Sequence, residues 1–331
     1  MQTNEVSAAV SNYTQANRPD DVPVTHIVIH STELSYLDTV RRFQEDHEVS
    51  AHDVIRGADG LVTRMVAPEN VAWHAGNWEL NCRSVGIEQE AYVGEPESFT
   101  ETMLRSLATV VAQLSQTFHV PLDRDHLLGH DNLCAATPDG QLAMHQDPGR
   151  YFDWQGLMKG LWAPVISLGT PQIGEPVVVC VNVADLYQSP DTGAELLTSE
   201  SLPAWTHQLS YGQRYVCAER SGEWVAIWYN GVKGWCHDPE HTILQGCQGE
   251  VIAPNSPHTP IFGMTSAAAK PIATLAAEEQ YVAGPLVSQL ESRDTNGQFQ
   301  ASFTGQRYYQ FYYNHRIAFV PIDTMHLVKK E

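Results

Sequence analysis

The sequence predicts an α/β domain over residues 1–162 followed by two small all-β modules. Three observations carry this reading. Strand-like and helix-like apolar patterns alternate from about residue 20 to residue 162. The Pro- and Gly-rich stretch "APVISLGTPQIGEP" then interrupts them, and beyond it only short, aromatic-rich runs broken by turns recur.

Taken in order, "VTHIVIH" at 24–30 is a near-continuous apolar run of the kind buried on both faces of a sheet. Ser35 with Asp38 three residues on caps a helix whose apolar face is Leu37, Val40 and Phe43, running to about Glu45. "VSAHDVIRGADGLVTRMV" reads as two strands joined at a Gly57–Gly60 turn, and "RSVGIEQEAYV" as another strand. Ser98 and Glu101 form an S-x-x-E capping box ahead of a helix with Met103, Leu104, Leu107, Val111, Leu114 and Phe118 at helical spacing. "HLLGH" is a short strand ending at His130.

Residues 163–175 are then a linker, 176–247 the first β module, 248–270 a second linker containing "APNSPHTP", and 271–331 the second module. The modules share an internal repeat: "WVAIWYNGVKGW" at 224–235 matches "YYQFYYNHRIAF" at 308–319, with Asn230 or Asn314 at the turn of a hairpin.

Composition excludes several classes. A net charge of −20 with five lysines leaves no basic stripe to neutralise phosphates, so nucleic acid is not the partner. No apolar run approaches the ~18 residues of a membrane-spanning helix. The first twenty residues show no basic n-region and no apolar h-region. That fits a cytoplasmic or phage-made protein, and equally a mature chain whose leader has been removed. The six cysteines show no CxxC spacing; Cys217 and Cys236, in predicted strands of one module, are the pair most open to a disulfide. Oligomeric state cannot be read from the chain.

Nine of the 15 histidines precede residue 150, which makes the first domain the place to look for a metal site. His26 and His30 share a strand face but lie about 13 Å apart at ~3.4 Å per residue. They cannot share an ion, so His30 at the strand's mouth is the candidate and His26 a core histidine. If "HLLGH" is a strand, the same argument singles out His130 over His126; in a helix both could ligate. "HQDPG" offers His145 and Asp147, two apart and so on one side of an extended segment.

In this order, "THIVIHST", "VSAHDVI", "WHAGN", "RSVGIEQE", "GHDN" and "HQDPG", with "FDW" at 152–154, resemble the zinc-dependent N-acetylmuramoyl-L-alanine amidases of type 2, related to the peptidoglycan recognition proteins and T7-type lysozyme. The resemblance covers most of the first 160 residues. It implies a mixed sheet flanked by helices, Zn²⁺ held by His30, His130 and Asp147, and cleavage of the amide between the lactyl group of N-acetylmuramic acid and the L-alanine of the stem peptide. It implies Glu88 as the catalytic base, with Glu90 two residues on as its substitute, and His145 as the donor to the oxyanion. Trp73, His74 and Asn77 are implied as groove residues touching glycan or peptide. The trailing modules are similar to bacterial SH3-like cell-wall modules, the second more divergent. The partner implied is peptidoglycan, and the setting the cell wall, reached by secretion or by phage delivery as an endolysin.

The ligand set is chemically coherent: two neutral imidazoles and one carboxylate leave a zinc site near +1 with a fourth position free, the pattern of a catalytic centre. The chain departs from T7-type relatives at Ala51, where they carry a tyrosine, and in the loop from Asn132 to Met144, which can reshape the groove. His52 reads as structural. Two other functions compete: a catalytically silent peptidoglycan-binding protein, and a zinc hydrolase of another N-acyl amide.

Overall fold

The computed structural model describes residues 3–295 and 298–329. The chain divides into two compact units. The first comprises residues up to Leu133, His145–Ala163 and Leu290–Phe303; the second comprises Cys134–Met144, Pro164–Gln289 and the remainder from Thr304. Two segments thus fall outside the partition read from sequence: 134–144 belongs with the second unit, and 290–303 with the first.

The first unit is built from β1 (Thr3–Glu5), β2 (Tyr13–Thr14), β3 (His26–Ser31), α1 (Tyr36–Gln44), β4 (Asp53–Ile55), β5 (Val62–Arg64), β6 (Val71–Ala72), α2 (Trp78–Arg83), β7 (Ser84–Gln89), α3 (Glu101–Phe118), β8 (Leu127–Gly129) and α4 (Trp154–Gly160). Six strands form a mixed sheet in the order β1-β5-β4-β7-β3-β8, every neighbouring pair parallel except β4 with β5. All six residues of β3 are buried, as its unbroken apolar run predicts for a strand with a neighbour on each side and cover on each face.

Local chemistry sets the helix boundaries. The Ser35 side chain accepts from the Asp38 N–H and starts α1. The cap of α3 is Thr100, which accepts from the Met103 N–H; Ser98 instead donates to the Glu95 carbonyl. Pro96 opens a short 3₁₀ turn over Pro96–Ser98, so the α-helix starts after Thr100 and Ser98 is spent within that turn. The buried face of α3 is Met103, Leu107, Val110, Val111 and Leu114, at i, i+4, i+7, i+8 and i+11. The helix ends at His119 in the left-handed region.

Leu290–Phe303 is a two-stranded arm that completes this unit. Leu290 is 1% exposed in a cluster with Val22, Val71 and Cys82. The Trp78 ring meets Phe299 edge-on at 6.2 Å and its Nε1 donates to the Ser292 carbonyl at 3.2 Å. Thr14 Oγ1 donates to Asp294 at 2.7 Å, and the Arg83 guanidinium lies over Phe303. Truncating a fully buried leucine typically costs about 3 kcal/mol. Leu290→Ala is therefore expected to lower the melting temperature of the first unit by roughly 6–12 °C, at about 2–4 °C per kcal/mol. Calorimetry or melting followed by near-ultraviolet circular dichroism checks it.

The second unit is all β apart from short 3₁₀ turns. A five-stranded sheet runs Val232–His237, Trp224–Tyr229, Arg214–Ser221, Pro176–Val179, Leu244–Gly246; another includes Pro271–Leu275, Thr259–Phe262, Ile317–Pro321 and the part of the strand Gln298–Tyr312 from Thr304 on. The stretch 248–270, expected to be a linker, carries strands Val251–Pro254 and Thr259–Phe262; its prolines sit at strand ends and in the turn between them. Both halves of the 84-residue repeat form hairpins, with Asn230 in the left-handed region at the first turn. The two turns touch: Asn314 Nδ2 donates to Asn230 Oδ1 at 3.2 Å, and the Tyr215 hydroxyl donates to the Asn314 carbonyl.

None of the six cysteines is in a disulfide. Cys217 and Cys236 stand on the two strands flanking Trp224–Tyr229, opposite Ile227 and Val225 respectively. Two inter-strand steps separate them by about 10 Å, beyond the ~7 Å reach of a disulfide. Reductant is expected to leave the melting temperature unchanged within about 1 °C, with six thiols titrating in the unfolded chain.

Candidate metal centre and active site

Parallel register assembles the site. On β3 and β7, His30 stands opposite Glu88, and on β3 and β8, Ile29 stands opposite Gly129, so His130 follows directly beside His30. These are carboxyl ends of neighbouring parallel strands, where open α/β sheets place their chemistry. Asp147 arrives on the loop before α4 and is tied to both ligand-bearing segments. Its Oδ2 accepts from the Ser31 N–H at 3.2 Å and its carbonyl accepts from the Asp131 N–H at 2.7 Å. The Asn132 side chain holds the turn in shape, accepting from Gly129 N–H at 2.9 Å and Arg124 Nη2 at 2.8 Å. A Cβ on Gly129 would lie 2.7 Å from the Pro148 ring, so glycine lets the Asp147–Pro148 segment approach.

The resulting cluster is buried and tight. His30 Nδ1 lies 3.1 Å from His130 Nδ1 and 3.3 Å from Asp147 Oδ2; His130 Nδ1 lies 3.2 Å from Asp147 Oδ1. Among the described residues this is the one group of three or more His, Cys, Asp or Glu side chains that converges tightly enough for one ion. Ligand atoms at about 2.05 Å around a tetrahedral zinc lie about 3.3 Å from one another; the two imidazole nitrogens meet this spacing, and Asp147 approaches each of them with a different oxygen. The donor set, two imidazoles and a carboxylate, is also that of a catalytic zinc centre.

Electrostatics agree. Burial, then the neighbouring His130, lowers the His30 pKa to about 4, so its ring is neutral and able to ligate at pH 7. Burial alone would raise the Asp147 carboxyl, but the His130 and His30 rings outweigh it and hold it far below the ordinary range. Glu88 behaves oppositely. Its Oε2 is shielded from solvent and has no hydrogen-bond partner, and burial, followed by the Asp147 charge, pushes its pKa well above the usual 4.5. A carboxylate left unsatisfied beside a cation-shaped cluster is poised to take a proton.

His145 stacks on His130 with ring centroids 4.4 Å apart and planes 11° from parallel, its Nδ1 3.7 Å from Asp147 Oδ1. Its side chain is 65% exposed, on the open side of the cluster. Burial and then His130 lower its pKa, which favours the neutral ring.

Other residues singled out in the sequence take different positions. Glu90 is no substitute base, because its two oxygens accept from the Tyr36 and Gly57 N–H groups at 2.8 Å each. Trp73 is half-buried, packs against the Val22, Val71 and Cys82 cluster and donates to Thr14; Asn77 is 2% exposed and caps α2 by accepting from the Glu79 and Leu80 N–H groups. His74 is 6% exposed and bonds His30. The run "WHAGN" links β6 to α2, and its polar side chains are engaged within the protein, Trp73 with Thr14, His74 with His30 and Ser84, and Asn77 with backbone N–H groups. His26 lies at the far end of β3, stacked on His126, away from the cluster. His52 is fully buried against Arg18 and the Gly86 N–H.

A family model described as N-acetylmuramoyl-L-alanine amidase matches residues 20–150. This segment contains every residue of the cluster. Residues 20–150 are thus similar to the type 2 N-acetylmuramoyl-L-alanine amidases. The amidase domain is similar to N-acetylmuramoyl-L-alanine amidase A of Achromobacter lyticus, 28% identical over 167 residues, 44% of this chain and 86% of that relative. Among solved structures, the E. coli amidase AmiD, in complex with its anhydro-N-acetylmuramic acid peptide substrate, matches with TM-score 0.34 and 22% identity, covering 41% of this chain and 57% of that one. The amidase LysC of Clostridium intestinale matches with TM-score 0.33 and 19% identity, covering 49% of this chain and 99% of that one. The chain therefore spans less than two thirds of the AmiD chain.

Proposed function

We propose that the protein is a zinc-dependent peptidoglycan amidase that hydrolyses the bond between the lactyl group of N-acetylmuramic acid and L-alanine of the stem peptide. The observation that carries this reading is the closed triangle of His30, His130 and Asp147 beside an unpartnered Glu88, within a segment matched by the amidase family. His30, His130 and Asp147 would hold the ion. When bound, it supplies a Lewis acid that polarises a carbonyl and acidifies water.

The chain's own groups do the rest. Glu88, with its proton affinity raised by burial, takes a proton from the attacking water and delivers it to the departing alanine nitrogen. His145, neutral and on the open side, donates to the oxygen of the scissile carbonyl as charge builds there. Asp147 stays ionised throughout, its Oδ2 held by the Ser31 N–H. The β modules of the second unit bind the wall and keep the amidase on its polymer. Peptidoglycan lies outside the cytoplasmic membrane, so the working enzyme is a wall enzyme or a phage lysin.

Mass spectrometry of purified peptidoglycan digested with and without chelator tests the reading. New L-alanine amino termini, lost on chelation, are expected. New reducing sugars in place of amino termini would defeat it.

A further inference from the structure

His74 is a partner of the metal centre. Its Nδ1 lies 3.0 Å from His30 Nε2, its Nε2 lies 3.2 Å from Ser84 Oγ, and Ser84 Oγ donates to the Leu80 carbonyl at 2.5 Å. The His30 and His74 rings meet edge-on with centroids 5.0 Å apart. The far end of this chain fixes its direction. The Leu80 carbonyl only accepts, so the single Ser84 proton points to it and Ser84 Oγ must accept from His74 Nε2–H. That leaves His74 Nδ1 without a proton, so it accepts from His30 Nε2–H, and His30 Nδ1 is then a bare lone pair facing His130 and Asp147.

The backbone is shaped around this arrangement. His74 packs flat against β7 at Gly86, where a Cβ would stand 2.5 Å from its Cγ and 2.6 Å from its Nδ1. Any side chain there would push the ring out of line, and glycine gives it room. The His74 N–H is held by Asn81 Oδ1 at 3.0 Å, which fixes the backbone that presents the ring.

We propose that His74, directed by Ser84 and seated on Gly86, is the positioning residue that locks His30 in its metal-binding tautomer and orientation, rather than a substrate-contacting residue. This rests on the metal-centre reading above. In metal sites, partners of this kind typically govern affinity by about 10–100-fold.

Zinc dissociation constants, measured on the full chain by competition with a chromophoric chelator, provide the test. His74→Leu, which removes the acceptor, is expected to weaken zinc binding by about 10–100-fold. His74→Asn, whose Oδ1 can occupy the place of Nδ1, should restore it to within roughly threefold of the parent. Ser84→Ala frees the direction of the relay and should fall between them. In the zinc-loaded parent, ¹⁵N imidazole spectra should show His30 protonated at Nε2.

A folded His74→Leu chain with parental zinc affinity overturns the proposal, as does His74→Asn binding as weakly as His74→Leu. If His74→Leu does not fold, parental affinity in Ser84→Ala overturns it. The underlying reading fails in a different way: the parent then takes up no zinc, or Asp147→Ala takes it up equally well.

Discussion

Glu88→Gln is expected to keep about one zinc per chain and to lower kcat by roughly 10²–10⁴-fold, the usual contribution of a positioned general base. Glutamine preserves the shape of the side chain and removes its capacity to hold a proton. Because Glu88 is not among the three converging ligands, metal content should not move. Metal analysis and turnover on purified peptidoglycan, measured on the same preparation, check both halves. Retention of near-parental turnover would remove Glu88 as the base.

The same variant has a stability signature. Burial raises the Glu88 pKa in the folded chain, so below the ordinary 4.5 both folded and unfolded states are protonated and there is no penalty. As pH rises through 4.5 the unfolded carboxyl ionises while the folded one is held back, and the parent loses stability. Metal-free Glu88→Gln should therefore be more stable than the metal-free parent at pH 7, by about 1–3 kcal/mol for one unsatisfied buried group. The gap should close below pH 4.5. Denaturant titrations at pH 4 and pH 7 read it directly.

Asp147→Ala is expected to abolish both metal binding and activity. Structural zinc sites are worth about 10–16 kcal/mol over four ligands, so one ligand accounts for a loss on the order of 10²–10³-fold in affinity. The effect should be larger here, because Asp147 also accepts from the Ser31 N–H and so ties its loop to β3. Zinc at 100 times its dissociation constant stabilises a folded chain by about 2.7 kcal/mol. Melting of the parent should therefore shift upward with added zinc, and melting of Asp147→Ala should not. Unchanged metal content in this variant would show the ligand assignment to be wrong.

Much of the site was legible because catalysis constrains residue types at strand ends. The run "VTHIVIH" marked a buried strand with one histidine at its mouth, and the rise per residue was enough to separate His30 from His26. The same rise singled out His130 over His126 once "HLLGH" is read as a strand, while the complete ligand set and Glu88 came from the family resemblance. Three further features were hidden for physical reasons. His74 stands 44 residues from His30 in sequence, and a ring that bonds another ring looks no different in one dimension from a ring that bonds a ligand. Ser98 and Glu101 matched a capping box, whereas Thr100, with Met103 three residues on, matches none and still caps the helix, because Pro96 draws Ser98 into a 3₁₀ turn. Cys217 and Cys236 looked like neighbours until pairing put a third strand between them.

The Leu290–Phe303 arm was the least legible, since its partners lie 210 or more residues earlier in the chain. That separation has a consequence during synthesis. Ribosomes add about 5–20 residues per second, so roughly 10–30 s pass between completion of residue 163 and emergence of the arm. Through that interval Val22, Val71 and Cys82 lack the apolar cover that Leu290 supplies. Grafting the first 163 residues onto a foreign wall-binding module would make that interval permanent.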